Sequence, residues 1–252
     1  MKLIKVENYH ELSSTAAEII INKVNQSAKL TLGLATGSTP EGLYRYLVED
    51  RALNHTNYQQ IKTFNLDEYV GIPPENEQSY FYYMNHRLFN YLNILPEHIH
   101  LPNGHTDNLE RECRRYDDLI QQTGGIDLQI LGVGLNGHIG FNEPGTSFES
   151  RTHVVKLDEC TRQANSRFFQ TIDEVPTHAI TMGISTILKS KEILLLVSGD
   201  KKKQTLQRLL DSDISENFPA SILKRHPNLT IITDISCVNR MEINHSPVKC
   251  YN

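Results

Sequence analysis

The chain has 252 residues, 38% of them hydrophobic and 22% charged, with 14 Gly and 10 Pro. That length can bury a two-sided α/β sheet, and ordinary Gly and Pro usage excludes collagen-like and low-complexity chains. The 25 Lys and Arg against 30 Asp and Glu leave a formal net charge of -5, which argues against non-specific nucleic-acid binding and means that any anionic ligand needs a local cationic pocket.

At the start of the chain Met-Lys-Leu-Ile-Lys-Val breaks its apolar run with Lys5 and carries no small-residue cleavage site, so it reads as a first strand and not as a signal peptide. Strand-like apolar runs follow at Leu30–Leu34, Ile61–Leu66, Ile126–Leu131, His178–Met182, Ile193–Val197 and Leu229–Thr233. Between them lie segments with helical spacing, such as Leu12–Val24, Tyr80–Tyr91, Leu109–Gln121 and Lys202–Leu210. The strands lack in/out alternation, as expected when both faces of a parallel sheet are covered. A single α/β/α sandwich with a mostly parallel central sheet is expected across residues 1–252. The longest apolar run, Ile193–Val197, is far below the roughly 20 residues that span a bilayer. Cys113, Cys160, Cys237 and Cys250 are scattered, with no C-x-x-C pair, as in a reduced, cytoplasmic protein without structural zinc.

In open α/β sheets ligands sit beyond the carboxyl ends of the strands, so the residues just after each strand are the ones to question. After Leu30–Leu34 comes Ala35-Thr-Gly-Ser-Thr-Pro40. Gly37 permits a tight turn, Ser38 or Thr39 can cap a helix, and Pro40 suits the first helical position. Such a helix start attracts an anion, although a plain, well-capped turn would look the same. After Ile61–Leu66, Asp67 and Glu68 point in different directions, so one can face a cleft while the other makes a structural contact. A carboxylate in a partly dry cleft can take a carbon-bound proton, although a cap or salt-bridge role is the plainer reading.

After Ile126–Leu131, Gly132, Gly134 and Gly137 match the dinucleotide pattern G-x-G-x-x-G. That motif must open a helix, and Asn142, Pro144 and Gly145 break any helix within two turns. These glycines instead let the backbone approach a ligand beside His138, which with Asn136 and Glu143 has the makings of an oriented base. After Ile193–Val197, Lys201, Lys202 and Lys203 crowd a helix N-terminus against its dipole. An anion there would reverse the sign, and two of the three read as solvated.

Together these segments resemble the glucosamine-6-phosphate deaminase family, whose fold is shared with ribose-5-phosphate isomerases. The resemblance is carried by Leu32–Tyr44, Phe64–Gly71, Ser79–Met84, Leu131–Arg151, Thr161–Phe169 and Gly199–Gln207. It implies conversion of glucosamine 6-phosphate and water to fructose 6-phosphate and ammonia, with no cofactor or metal. Asp67 matches the enolisation base, and His138 matches the ring-opening group, with Glu143 and Asn136 as its relay. Gly37, Ser38 and Thr39 match the phosphate loop, joined by Arg167 and Lys202, while Gly137 presents backbone to the substrate.

Many members carry Asp where this chain has Asn136, which can orient His138 but not carry charge. Allosteric members bind N-acetylglucosamine 6-phosphate with basic residues where this chain has His153 and Val155, so a monomer is expected over a hexamer. The rivals are a 6-phosphogluconolactonase, which would not need the Asn65–Tyr69 and Thr161–Phe169 blocks, and a sugar-phosphate sensor domain, which no basic helix-turn-helix segment accompanies here.

Overall fold

The computed structural model describes residues 1–27, 29–166, 169, 171–234 and 236. The described strands are β1 (Lys2–Val6), β2 (Thr31–Leu34), β3 (Lys62–Asn65), β4 (Asp67–Tyr69), β5 (Ile99–His100), β6 (Leu128–Leu131), β7 (His153–Lys156), β8 (His178–Thr181), β9 (Glu192–Val197) and β10 (Leu229–Asp234). The α-helices are α1 (Tyr9–Gln26), α2 (Glu41–Asn54), α3 (Tyr80–Met84), α4 (Leu109–Gln122), α5 (Glu159–Asn165), α6 (Ile184–Leu188) and α7 (Lys203–Asp211). None of the described helices is long and apolar enough to cross a membrane.

Seven strands form one sheet in the order β1-β10-β9-β6-β2-β3-β5, and every neighbouring pair in it is parallel. Its central strands are apolar on both faces because helices cover both. One layer packs Leu32, Leu34, Ile130 and Leu194 against α1 and α2 through Leu12, Ile20, Leu43 and Leu47. The other packs Phe64, Leu131, Ile193 and Leu195 against Tyr116 and Ile120 of α4, Ile187 of α6 and Leu206 of α7. This is the α/β/α arrangement expected from the sequence. Asn8 and Asn108 start α1 and α4 by accepting the N–H groups of Glu11 and Arg111, three residues on.

Three elements differ from expectation. The run His178–Met182 is a strand, but β8 lies in a second, antiparallel sheet of order β4-β8-β7. Its partners Asp-Glu-Tyr and His-Val-Val-Lys are short and polar, without the apolar run that marks the parallel strands. The helix expected over Tyr80–Tyr91 is α-helical only to Met84 and then widens into a π-turn at Asn85–Phe89. There the side chains of Asn85 and His86 bond the carbonyls of Phe81 and Tyr82, four residues back, and compete for the helical ladder. Finally, Pro40 is itself the N-cap of α2, so neither Ser38 nor Thr39 caps it and Pro40 is not its first helical residue.

Candidate active site

Chain order along the sheet reverses between β2 and β6, since β3 and β5 extend one side and β9 and β10 the other. Such a switch point is where open α/β sheets leave a crevice at their carboxyl edge. The four strand ends singled out in the sequence belong to β9, β6, β2 and β3, which are consecutive neighbours around that point.

Asp67 stands where the two sheets meet. Leu66, just before it, donates its N–H to Leu34 of β2 and accepts the N–H of Met182, just past β8. Asp67 then opens β4 opposite Thr181. The carboxylate of Asp67 is buried and has no hydrogen bond or ion pair among the described residues. Burial, with the charge of neighbouring Glu68, pushes its pKa up to about 8. Glu68 points away from it and accepts the backbone N–H groups of Tyr69, Tyr80 and Phe81, each at 2.9 Å. It thereby closes the start of α3, which is the structural contact foreseen for one of the pair. Burial raises Glu68 as well, to about 7, against those three donors. Asp67, which has no donors, holds its proton to the higher pH.

The loop after β6 opens no helix and runs on to β7, so the dinucleotide reading fails as expected. Gly137, at φ 91°, turns this loop, and a Cβ there would overlap the ring of Phe218. Asn136 accepts the His138 N–H at 3.1 Å and donates its amide to Glu143 Oε2 at 2.6 Å. His138 Nδ1 lies 3.4 Å from the same oxygen, a charge contact short of an aligned hydrogen bond. Catalytic contacts of this kind commonly shorten to hydrogen-bond length once a substrate binds. Burial pushes Glu143 up, but the contact with His138 and the hydrogen bonds from Thr161 and Asn136 outweigh it and hold the carboxyl below its ordinary value. An ionised Glu143 is therefore aimed at Nδ1, which leaves the other ring nitrogen of His138 for a substrate.

Two threonines absent from the sequence-based candidates tie these parts together. Thr181, opposite Asp67 in the β4–β8 pair, accepts the N–H of Phe141 at 3.0 Å and so binds the Asp67 strand to the His138 loop. A Cβ on Gly140 would sit 2.9 Å from Thr181 Oγ1 and 3.5 Å from Asp67 Oδ2, so only glycine lets the loop come this close. Thr161 donates to Glu143 Oε1 at 2.6 Å. Neither hydroxyl carries a sequence signal, although Thr161 begins the block Thr161–Phe169 that contributes to the family resemblance. Gly134 lies flat against the His138 imidazole: a Cβ there would fall 2.3–2.5 Å from ring atoms. Replacing Gly134 with Ala is expected to displace the ring and lower turnover by at least about tenfold while the fold is kept, measured by steady-state kinetics beside thermal melting.

In the loop after β2, Gly37 has φ 91°. Phenol hydroxyls fix its carbonyls from behind: Tyr44 holds Ala35 O, while Tyr83 and Tyr9 hold Gly37 O and Ser38 O at 2.8 Å each. The N–H groups of Gly37, Ser38 and Thr39 donate to no acceptor among the described residues, as an anion cradle requires. On the far side, Gly199 at φ 91° leads into a 3-10 turn, Asp200–Lys202, and Lys202 Nζ donates to Val133 O at 2.6 Å, at the root of the His138 loop. Of the three lysines Lys201 is exposed, and Lys202 and Lys203 are half-buried. Arg167 lies outside the described residues.

Comparison with known proteins places this architecture. Residues 5–232 match the family model described as glucosamine-6-phosphate isomerases/6-phosphogluconolactonase. A glucosamine-6-phosphate deaminase of Oceanobacillus iheyensis is 54% identical over 97% of this chain and 98% of its own length. Glucosamine-6-phosphate deaminase 1 of Bacillus subtilis is 51% identical over 93% and 97%. A solved monomeric glucosamine-6-phosphate deaminase superposes with TM-score 0.93 at 50% identity, covering 94% of this chain and 99% of its own. The 6-phosphogluconolactonase of Trypanosoma cruzi shares the fold, at TM-score 0.78 and 19% identity. With the family model matched over residues 5–232 and relatives about half identical over nearly the whole chain, the chain belongs to the glucosamine-6-phosphate isomerase/6-phosphogluconolactonase family.

Proposed function

We infer that the chain is a glucosamine-6-phosphate deaminase, an enzyme that turns glucosamine 6-phosphate and water into fructose 6-phosphate and ammonia. The observation that carries this reading is the buried Asp67, without a hydrogen-bond partner among the described residues, held against the loop of His138, Glu143 and Asn136. Relatives of that name at 51–54% identity over nearly the whole chain support it.

The chemistry needs two proton-handling centres because the C2 proton becomes acidic only once the ring has opened and C1 is an aldehyde. In this reading His138, aimed by Glu143, moves the proton from the C1 hydroxyl to the ring oxygen. Asp67 takes the proton from C2 and returns it to C1, while the C1 oxygen gains a proton and the amine nitrogen gives one up, which leaves a ketimine at C2. Water adds to that carbon and ammonia departs. Asn136, an amide, orients and carries no proton. The N–H groups of Gly37, Ser38 and Thr39, the Gly137 backbone and Lys202 hold the sugar phosphate, with Arg167 joining them on sequence grounds. Phosphate binding, remote from the reacting carbons, then holds C1 and C2 against the bases.

Lys202→Ala is expected to raise KM by about tenfold or more with kcat little changed, checked by initial rates across substrate concentration. The whole chain acts as one catalytic domain, in the cytoplasm and as a monomer. The monomeric relative, and Val155 where allosteric members carry a basic residue, support the last point. Light scattering after size exclusion should give the mass of one chain, with or without N-acetylglucosamine 6-phosphate. Ammonia release from glucosamine 6-phosphate, run beside hydrolysis of 6-phosphogluconolactone, tests the function. Equal yields of ammonia and fructose 6-phosphate are expected, and lactone hydrolysis without ammonia would overturn the reading.

A further inference from the structure

Glu143 is held at both of its oxygens, and only one of them faces the imidazole. Oε2 takes the Asn136 amide and the His138 contact, while Oε1 takes the Thr161 hydroxyl. Thr161 and Glu143 are both buried, so water does not replace that donor freely. A carboxylate with one oxygen unheld rotates about its last bond, and an imidazole aimed by it loses its orientation with it.

Thr161 sits in α5, whose next residue ties that helix to the returning chain. Arg162 donates to the carbonyls of Ile172 and Val175 at 3.0 and 3.1 Å. Val175 is buried, and β8 follows it, ending at Thr181, which accepts the Phe141 N–H. The chain between residues 161 and 181 is thus anchored on the His138 loop at both ends, by a threonine each time.

We propose that Thr161 is a positioning residue for ring opening: its hydroxyl locks Glu143 so that the carboxylate keeps His138 aimed at the sugar. It transfers no proton and touches no substrate. This inference rests on the deaminase reading, and it adds a residue from a helix outside the His138 loop.

Three variants test it: Thr161→Val, which keeps the shape and deletes the hydroxyl, Thr161→Ser, which keeps the hydroxyl, and Glu143→Gln. Ammonia release is measured for each, with the melting curve as the control for folding. Thr161→Val should lose tenfold or more in kcat with KM within twofold of the parent, and Thr161→Ser should stay within threefold of the parent on both. In the double variant Thr161→Val should add less than twofold to the loss from Glu143→Gln, since both changes act through one group. A folded Thr161→Val with kcat within twofold of the parent sinks the inference. A folded Thr161→Ser as impaired as Thr161→Val, a KM that rises with kcat unchanged, or fully multiplicative losses in the double variant do the same. If Thr161→Val does not fold, Thr161→Ala against Thr161→Ser gives the same comparison. Failure of the deaminase reading is separate, because the parent enzyme itself would then release no ammonia.

Discussion

Replacing Asp67 with Asn removes deamination, by about 10²–10⁴-fold or more, while phosphosugar binding stays within a few-fold and the fold becomes more stable. The loss follows from the role proposed for Asp67, which carries the proton between C2 and C1, since an amide cannot accept it. The gain follows from burial, which favours the neutral carboxyl in the folded state, with a pKa of about 8 against an ordinary 3.8. A group whose folded pKa is raised contributes its stability in full below its unfolded pKa and loses it as pH climbs through the folded one. The window here runs from about 4 to about 8. The variant, neutral at every pH, should melt no higher than the parent at pH 4 and several degrees higher at pH 8, at about 2–4 °C per kcal/mol for a chain of this size. Scanning calorimetry at the two pH values measures the difference, and a gap that does not widen with pH contradicts the buried-base assignment. The same burial predicts the activity profile. In the parent enzyme kcat/KM should rise through an apparent pKa near 8, which belongs to the Asp67–Glu68 pair and not to one carboxyl alone.

Glu143→Gln has the opposite stability signature and a smaller kinetic one. Two donors, the Thr161 hydroxyl and the Asn136 amide, and the contact with His138 Nδ1 converge on the two oxygens of Glu143. A glutamine offers one oxygen and sets an N–H against at least one of those donors. Because Glu143 titrates below its ordinary 4.5 in the folded protein, its ionised form contributes stability above that value and loses it as pH falls through the folded pKa. The variant should therefore melt below the parent at pH 7, with the gap closing below pH 4.5. Turnover should fall by about 10²-fold, at the low end of what acid–base groups supply. The loss is smaller than for Asp67→Asn because aldose rings open unaided in water, whereas a C2 proton does not leave on the same timescale. Rates for the two variants under one condition decide it: a larger loss for Glu143→Gln would reverse the division of labour proposed for the two centres.

Much of this arrangement is legible from residue order. The central parallel strands announce themselves because burial on both faces demands unbroken apolar runs such as Ile193–Val197. Asp67, His138 and Lys202 all lie just past the carboxyl end of such a run, where a ligand crevice is expected. The second sheet is not legible: β4 and β7 are short, charged and held by pairing with β8. The roles of Asp67 and Glu68 can be foreseen as different but not assigned, since the three N–H donors that claim Glu68 come partly from α3, twelve and thirteen residues on. Thr161 and Thr181 escape notice for a related reason. A threonine hydroxyl is common, and its importance comes from a partner 18 or 40 residues away.

Leu66 belongs to both sheets through its N–H and its carbonyl, and this has a bearing on how the enzyme tolerates motion. The Leu66 amide exchanges only when its bond to Leu34 opens and the Met182 amide only when its bond to Leu66 opens, so both should be among the slowest to take up deuterium. Warming should therefore open the chain ends before it frees the strand that carries the base.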